Sequence, residues 1–200
     1  MERPAHEDGS VIDPNDFAVV ERIIRERRTN MLVDRDRPVD SDIIESLCSL
    51  AMWAPNHKRT WPWRFAVMTG EGRLRLGEAA AQDLIAQGSD DEIKIGKVRR
   101  KYARTPVVLV VGSAPDQHPT FHDENRDAVS AGIQNLLLGA TALGLASFWS
   151  TAPVIDGAHT LELCGFEPAT RIIGMIYLGW PTGAGLPGER PEPSITVVDQ

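Results

Sequence analysis

The sequence predicts a layered domain in which helices and strands alternate, of the α+β or α/β class. Three observations carry that expectation. Apolar residues recur at helical spacing in several separate stretches, the longest over 123–143. Between them stand compact apolar runs of strand length, PVVLVVG at 106–112 and RIIGMIYLG at 171–179 foremost. A chain of 200 residues, 42% apolar, can also bury one substantial core without metal or disulfide staples.

Residues 1–16 are polar and proline-containing and read as a flexible N-terminal tail ending at Asp16, a suitable helix N-cap. Residues 17–200 then form a single domain. Phe17, Val20, Ile23 and Ile24 predict a first helix, which closes in the basic cluster Arg25, Arg27 and Arg28. Asp40 or Ser41 can cap a second, with Ile43, Ile44, Leu47, Leu50 and Ala51 on its apolar face. That helix should stop near Ala54, because a residue preceding proline avoids helical geometry. The stretch APNHKRTWPW (54–63) has no period and two prolines, so it reads as a loop. A strand over 63–69, a helix from Arg73 to Gln87 and a polar surface helix within 88–104 follow. The run 106–112 is the clearest buried strand, and 115–122 is a loop. A long helix then runs from Asp123 to Leu143, with Gly144 at its C′ position. A short strand (145–150), a helix around Asp156–Leu163 and a strand over 171–179 complete the elements. The proline- and glycine-rich tail beyond Pro181 predicts no regular element.

Composition excludes several function classes. Lys+Arg 21 against Asp+Glu 28 gives a net charge of −7, which disfavours nucleic acid and anionic membranes as partners. No window approaches a membrane span, and the N-terminus lacks the basic and apolar regions of a signal peptide. Cys48 and Cys164 form no CxxC pair, so neither a zinc cage nor a disulfide framework is expected, and a cytoplasmic setting is. GAGLPG (183–188) matches the dinucleotide pattern in letters, but the prolines at 187, 191 and 193 forbid the helix that such a site needs. His118 and His122 are separated by Pro119 and lack an evident third ligand, so no metal is expected. Ser113, Ser147 and Ser150 lack the context of a nucleophile elbow.

Three segments carry chemistry. Arg27-Arg28-Thr29 either complements the dipole of the first helix or forms an anion clamp, since two forked guanidiniums and a hydroxyl match a phosphate monoester. Trp53 to Trp63 holds three tryptophans interleaved with His57 and Lys58, which either plug a sheet edge or face a flat aromatic ligand. Residues 144–151 form a helix–turn–strand joint that delivers Trp149, Ser150 and Thr151.

In order and spacing, these segments resemble the nitroreductase family of FMN-dependent oxidoreductases, in particular its small single-domain bacterial members. The family's Arg-Arg-Ser appears as Arg27-Arg28-Thr29, and its Ala-Pro…Gln-Pro-Trp loop as Ala54-Pro55…Trp61-Pro62-Trp63. The helix ending at Gln134–Leu145 and the strand Ile176–Pro181 also fit, so the resemblance spans about residues 17–181. It implies an α+β fold with a central mixed β-sheet flanked by helices, in an intertwined homodimer with FMN at the subunit interface.

By that resemblance, Arg27, Arg28 and Thr29 hold the phosphate and ribityl end, Trp53 and His57 contact flavin, and Trp149, Ser150 and Thr151 complete the site from the partner subunit. Gly139, Ala140, Thr141, Ala142, Leu143 and Gly144 lie where relatives place the nicotinamide cofactor. The implied reaction is a ping-pong exchange, with a hydride from NADH or NADPH passed on as electrons to a nitroaromatic, quinone or related small acceptor. No dedicated acid–base residue is implied; a cation near flavin N1 could come from His57, Lys58 or Arg59. The alternatives are a flavin-binding or sensing dimer without turnover, or a same-fold flavoprotein that dehalogenates or breaks flavin down. The short 88–104 and 113–123 segments leave little room for the lid insertion usual in the latter. Trp61 replaces the usual Gln, Thr29 replaces Ser, and the tail lacks an evident Arg/Lys-Pro motif like the one larger relatives use at the phosphate.

Overall fold

The computed structural model describes residues 15–199. The proposed tail therefore lies, but for Asn15 and Asp16, outside the described residues. Helix α1 (Asp16–Glu26) is followed by α2 (Ser41–Ala51), β1 (Trp63–Met68), α3 (Gly72–Ala86) and α4 (Glu92–Lys101). Then come β2 (Val107–Ser113), α5 (Thr120–Ala142), β3 (Ala146–Ser150), α6 (Ala158–Cys164) and β4 (Arg171–Gly179). Asn15, rather than Asp16, occupies the N-cap position; Asp16 is the first helical residue, where its charge faces the positive end of the helix dipole. Helix α5 begins three residues earlier than the sequence predicts, because Pro119, with φ −53°, already has a helix-compatible backbone.

The four strands form one sheet in the order β1-β2-β4-β3, and every strand pairing is antiparallel. The mixed pairing expected of the sheet is met among the described residues only by an isolated parallel bridge, Thr29 to Ser147. That bridge extends the β3 edge with a segment too short to count as a strand.

Strand β2 explains its own composition. Its odd residues Val107, Leu109 and Val111 face one core with Ile176 and Leu178, covered by α2 and α5. Its even residues Val108 and Val110 face another with Met175 and Tyr177, covered by α3, α4 and α6. Both faces of the sheet are buried, so period-2 alternation is replaced by a continuous apolar run.

Two polar or steric details fix the helices. Asp83 of α3 is only 2% exposed, yet its carboxylate accepts from the His159 and Thr160 backbone N–H groups at 2.8 and 3.0 Å, and from the Thr160 hydroxyl. It thereby caps α6 from another element, because Gly157 at the N-cap has no side chain to do so. At the C-terminus of α5, Gly144 (φ +77°) allows Leu145 N–H to reach Ala140 O at 2.8 Å and Gly144 N–H to reach Thr141 O at 3.0 Å. This is a Schellman closure at the predicted glycine.

Gly132 sets how closely α5 approaches α2: a Cβ there would lie 2.6 Å from both the Ala51 carbonyl oxygen and Trp63 Nε1. Gly132→Ala should therefore destabilise the fold by about 1–3 kcal/mol through overpacking. Urea unfolding measures this, and an unchanged midpoint would refute the close approach.

Candidate functional site

Helix α1 ends at Glu26, and Arg27 leaves it with φ −56° and ψ 124° while its N–H still donates to Ile23 O at 3.0 Å. Arg25 stays on the helix, paired to Glu21 at 2.8 Å, so only Arg27 and Arg28 are released from the basic cluster. The chain is next pinned to β3 by the Thr29–Ser147 bridge and by Asn30 N–H donating to Ser147 O at 3.0 Å.

The C-terminal tail then folds back over this segment. Thr182 N–H donates to Leu32 O at 2.8 Å, Asn30 Nδ2 donates to Gly183 O at 2.9 Å, and Val33 bridges Pro181. Gly188 packs so tightly that a Cβ would lie 2.4 Å from Arg28 Cζ. The result is a cleft of about 1020 Å³ where Arg190 joins Arg27 and Arg28, walled by Gln134 of α5 and by Phe17, Val20 and Ile24 of α1.

Among the described residues none of the three arginines has a carboxylate within ion-pair distance. Burial, then the charges of Arg190 and Arg28, lower the pKa of Arg27. Because guanidinium stays charged at any ordinary pH, that repulsion persists until an anion offsets it. Arg190 was not found from sequence. Its signal was Arg190-Pro191, the very dipeptide sought in the tail, and only the backfold brings it to the corner.

The 53–61 segment is a separate construction. Trp53 follows α2 and is 82% exposed; it borders an apolar groove of about 280 Å³ with Val20, Ile23, Leu50, Leu138 and Ala142. In the loop, Asn56 Oδ1 accepts from Trp61 N–H at 3.0 Å, and Asn56 Nδ2 donates to the Thr60 hydroxyl at 3.0 Å. That hydroxyl donates in turn to Asn125 Oδ1 of α5 at 2.5 Å. Asn125 is 2% exposed, a second residue that sequence reading passed over. The network holds Lys58, Arg59 and Trp61 at φ +59°, +53° and +51°, each conformation costing about 1–3 kcal/mol for a non-glycine residue. His57 Nδ1 lies 2.6 Å from Glu124 Oε2, and its ring meets Phe121 edge-on at 6.0 Å. Trp61 is half-exposed and tilts against buried Trp63 at 6.3 Å.

Strand β3 supplies the third group. Trp149 Nε1 donates to Ile173 O at 3.3 Å, and its indole lies across Gly174, where a Cβ would come within 2.6 Å of Nε1. Ser150 Oγ donates to Thr151 O, and Thr151 is exposed. The Ser147 hydroxyl, beside Thr29, is buried with no hydrogen-bond partner among the described residues.

Within one chain the structure thus joins Arg27–Thr29 to β3 and to Arg190. It does not bring His57 there. His57 is held at Glu124, whereas the cationic cleft is lined by Gln134, ten positions further along α5 and so about 15 Å along its axis.

Residues 139–144 have packing and capping tasks. A Cβ at Gly139 would lie 2.7 Å from Leu50 Cδ1, Ala140 is buried, and Thr141 Oγ1 donates to Leu137 O at 3.0 Å. Ala142 lines the apolar groove, and Leu143 and Gly144 end the helix. Burial pushes the Cys48 thiol up to about 11 and the Cys164 thiol up to about 12, so neither is a thiolate nucleophile near neutral pH. His122 Nε2 is engaged by the Asp116 carbonyl at 2.9 Å.

A family model described as the Nitroreductase family matches residues 24–180. YdjA of Escherichia coli strain K12, which carries the name of an NAD(P)H nitroreductase, is 30% identical over 69% of this chain and 75% of its own length. A nitroreductase-like family protein from Bacillus cereus superimposes with TM-score 0.77 at 26% identity, covering 90% of this chain and 96% of that one. A Bacteroides fragilis nitroreductase with bound FMN shares the fold at TM-score 0.70 and 22% identity, covering 90% and 98%.

The three-arginine corner predicts anion binding by the protein alone. Inorganic phosphate at about tenfold its Kd should raise the unfolding midpoint by roughly 3–6 °C over chloride of equal ionic strength. The R27A/R28A/R190A variant should lose the response, and an equal shift in both proteins would refute it.

Proposed function

We infer the function from one premise: the chain belongs to the nitroreductase family. It is an FMN-dependent oxidoreductase that uses NAD(P)H as electron donor. The observation that carries this to named residues is the corner of Arg27, Arg28 and Arg190, none of them ion-paired to a carboxylate among the described residues, in a chain of net charge −7.

The residues present fit the cofactor. Three forked guanidiniums and the Thr29 hydroxyl match the charge and acceptor oxygens of a phosphate monoester, and Thr29 is bridged to Ser147 of β3. When bound, FMN supplies the two-electron chemistry, accepting a hydride and yielding electrons to a second substrate. The chain's own tasks are to anchor and to orient. Arg27, Arg28, Thr29 and Arg190 hold the charged end. Trp149 stiffens the β3 end by its bond to Ile173, and Ser150 and Thr151 offer hydroxyls there. Trp53 and His57 contact the ring system.

We assign His57 to the partner subunit, rather than Trp149–Thr151, because Thr29 bridges Ser147 within one chain while His57 is held at Glu124, away from the cleft; Trp53 stays beside Val20, which also walls the cleft. A homodimer is supported by apolar surface that the described residues leave exposed. No residue of α1 is buried, and Phe17 is 76% exposed. The extended tail likewise exposes Ile195, Val197 and Val198.

The donor-site role of residues 139–144 is supported by the groove that Gly139 and Ala142 line beside Trp53, which suits a flat ring. The carbonyl end of α5 offers nothing to a pyrophosphate. The acceptor is a nitroaromatic, a quinone or a related small molecule, and residues 17–200 act as one domain in the cytoplasm.

The purified protein should be yellow and should bleach anaerobically on adding NADH or NADPH; persistent colour would favour a binding module without turnover. Arg27→Ala combined with Arg28→Ala should strip most of the flavin, whereas unchanged flavin content would remove the clamp. Sedimentation should give a dimer, and a monomeric mass at full flavin occupancy would contradict the two-chain site.

A further inference from the structure

One turn of α5, Phe121–Asn125, grips the 56–61 loop at three points. Phe121 meets the His57 ring edge-on at 6.0 Å, Glu124 Oε2 lies 2.6 Å from His57 Nδ1, and Asn125 Oδ1 accepts from the Thr60 hydroxyl. The last of these, through Asn56, already accounts for the shape of a loop with three left-handed non-glycine residues. The Glu124–His57 pair is then surplus to that shape. Both its side chains are about half exposed, at 54% and 47%, where an ion pair adds little to stability.

What the pair does determine is the imidazole. An ionised carboxylate only accepts hydrogen bonds, so Nδ1 must carry the proton. No hydrogen bond among the described residues engages Nε2. Contacts of this kind orient and fix the tautomer of metal-bound imidazoles, and the same physics applies to a ring that meets an organic cofactor.

We propose that Glu124 is a positioning residue that locks His57 as the Nδ1–H tautomer and so reserves its Nε2 edge for the bound flavin. The proposal rests on the reading of His57 as a flavin contact. Glu124 itself touches no reacting atom.

The test uses the full chain in two states. Without flavin, long-range ¹H–¹⁵N correlation spectra should show His57 as Nδ1–H in the wild type. Glu124→Ala should shift it toward the Nε2–H form that free imidazole side chains favour, and Glu124→Gln, whose amide oxygen still accepts, should keep the wild-type form. With FMN as titrant, E124A should bind about tenfold more weakly and E124Q within about twofold of wild type. All three proteins should share one thermal midpoint.

Unchanged tautomer or unchanged FMN affinity in E124A would overturn the proposal, and so would E124Q binding as weakly as E124A. If the wild type itself takes up no FMN, the functional reading fails instead. The tautomer comparison, made without flavin, still decides whether Glu124 positions the ring.

Discussion

Segment 27–33 lies between strand β3 on one side and the returning C-terminal tail on the other, and the site depends on that sandwich. The Thr29–Ser147 bridge and the Asn30 hydrogen bond hold it to the sheet, while Thr182, Gly183 and Gly188 close over it. Each bond is an ordinary backbone or amide contact. Together they force Arg27, Arg28 and Arg190 into one cleft, an arrangement that like charges alone would resist. An anion in the cleft would offset that repulsion, so binding one would stabilise the folded chain.

The rest of the molecule supplies rigidity at the right places. A sheet buried on both faces cannot shift its register without exposing whole rows of apolar side chains, so β3 offers a fixed edge to the 27–33 segment. Asp83 caps α6 and so fixes the element that follows the 151–157 connection. Asn125 does the equivalent for the 56–61 loop. These buried polar groups, each hydrogen-bonded to the segment it holds, specify geometry in a way that apolar packing alone would not.

How much was legible differs element by element. Strand 171–179 was read to the residue, because an apolar run bounded by turn residues has one interpretation once it is too short for a helix. The start of α5 is not legible because Thr120, Phe121 and His122 add only one apolar residue and no period, while Pro119 sets their geometry sterically. Helix α1 is legible as amphipathic, but among the described residues none of its side chains is buried. At the site, Arg27 and Arg28 were visible as neighbours in sequence, whereas Arg190 was lost in a tail whose folding depends on contacts more than 150 residues away in sequence. Glu124 and Asn125 stood out no more than any polar pair on a helix.

By itself the sequence determined which segments form helices and strands, where glycine must end α5, and which motif residues mark the family, since all of these follow from local backbone preference and side-chain period. Only the tertiary structure decided that three arginines converge, that His57 sits about 15 Å along α5 from them, and that Glu124 lies against the imidazole. Those facts depend on distances between segments remote in the chain. Such distances are set by how layers pack and not by any local rule.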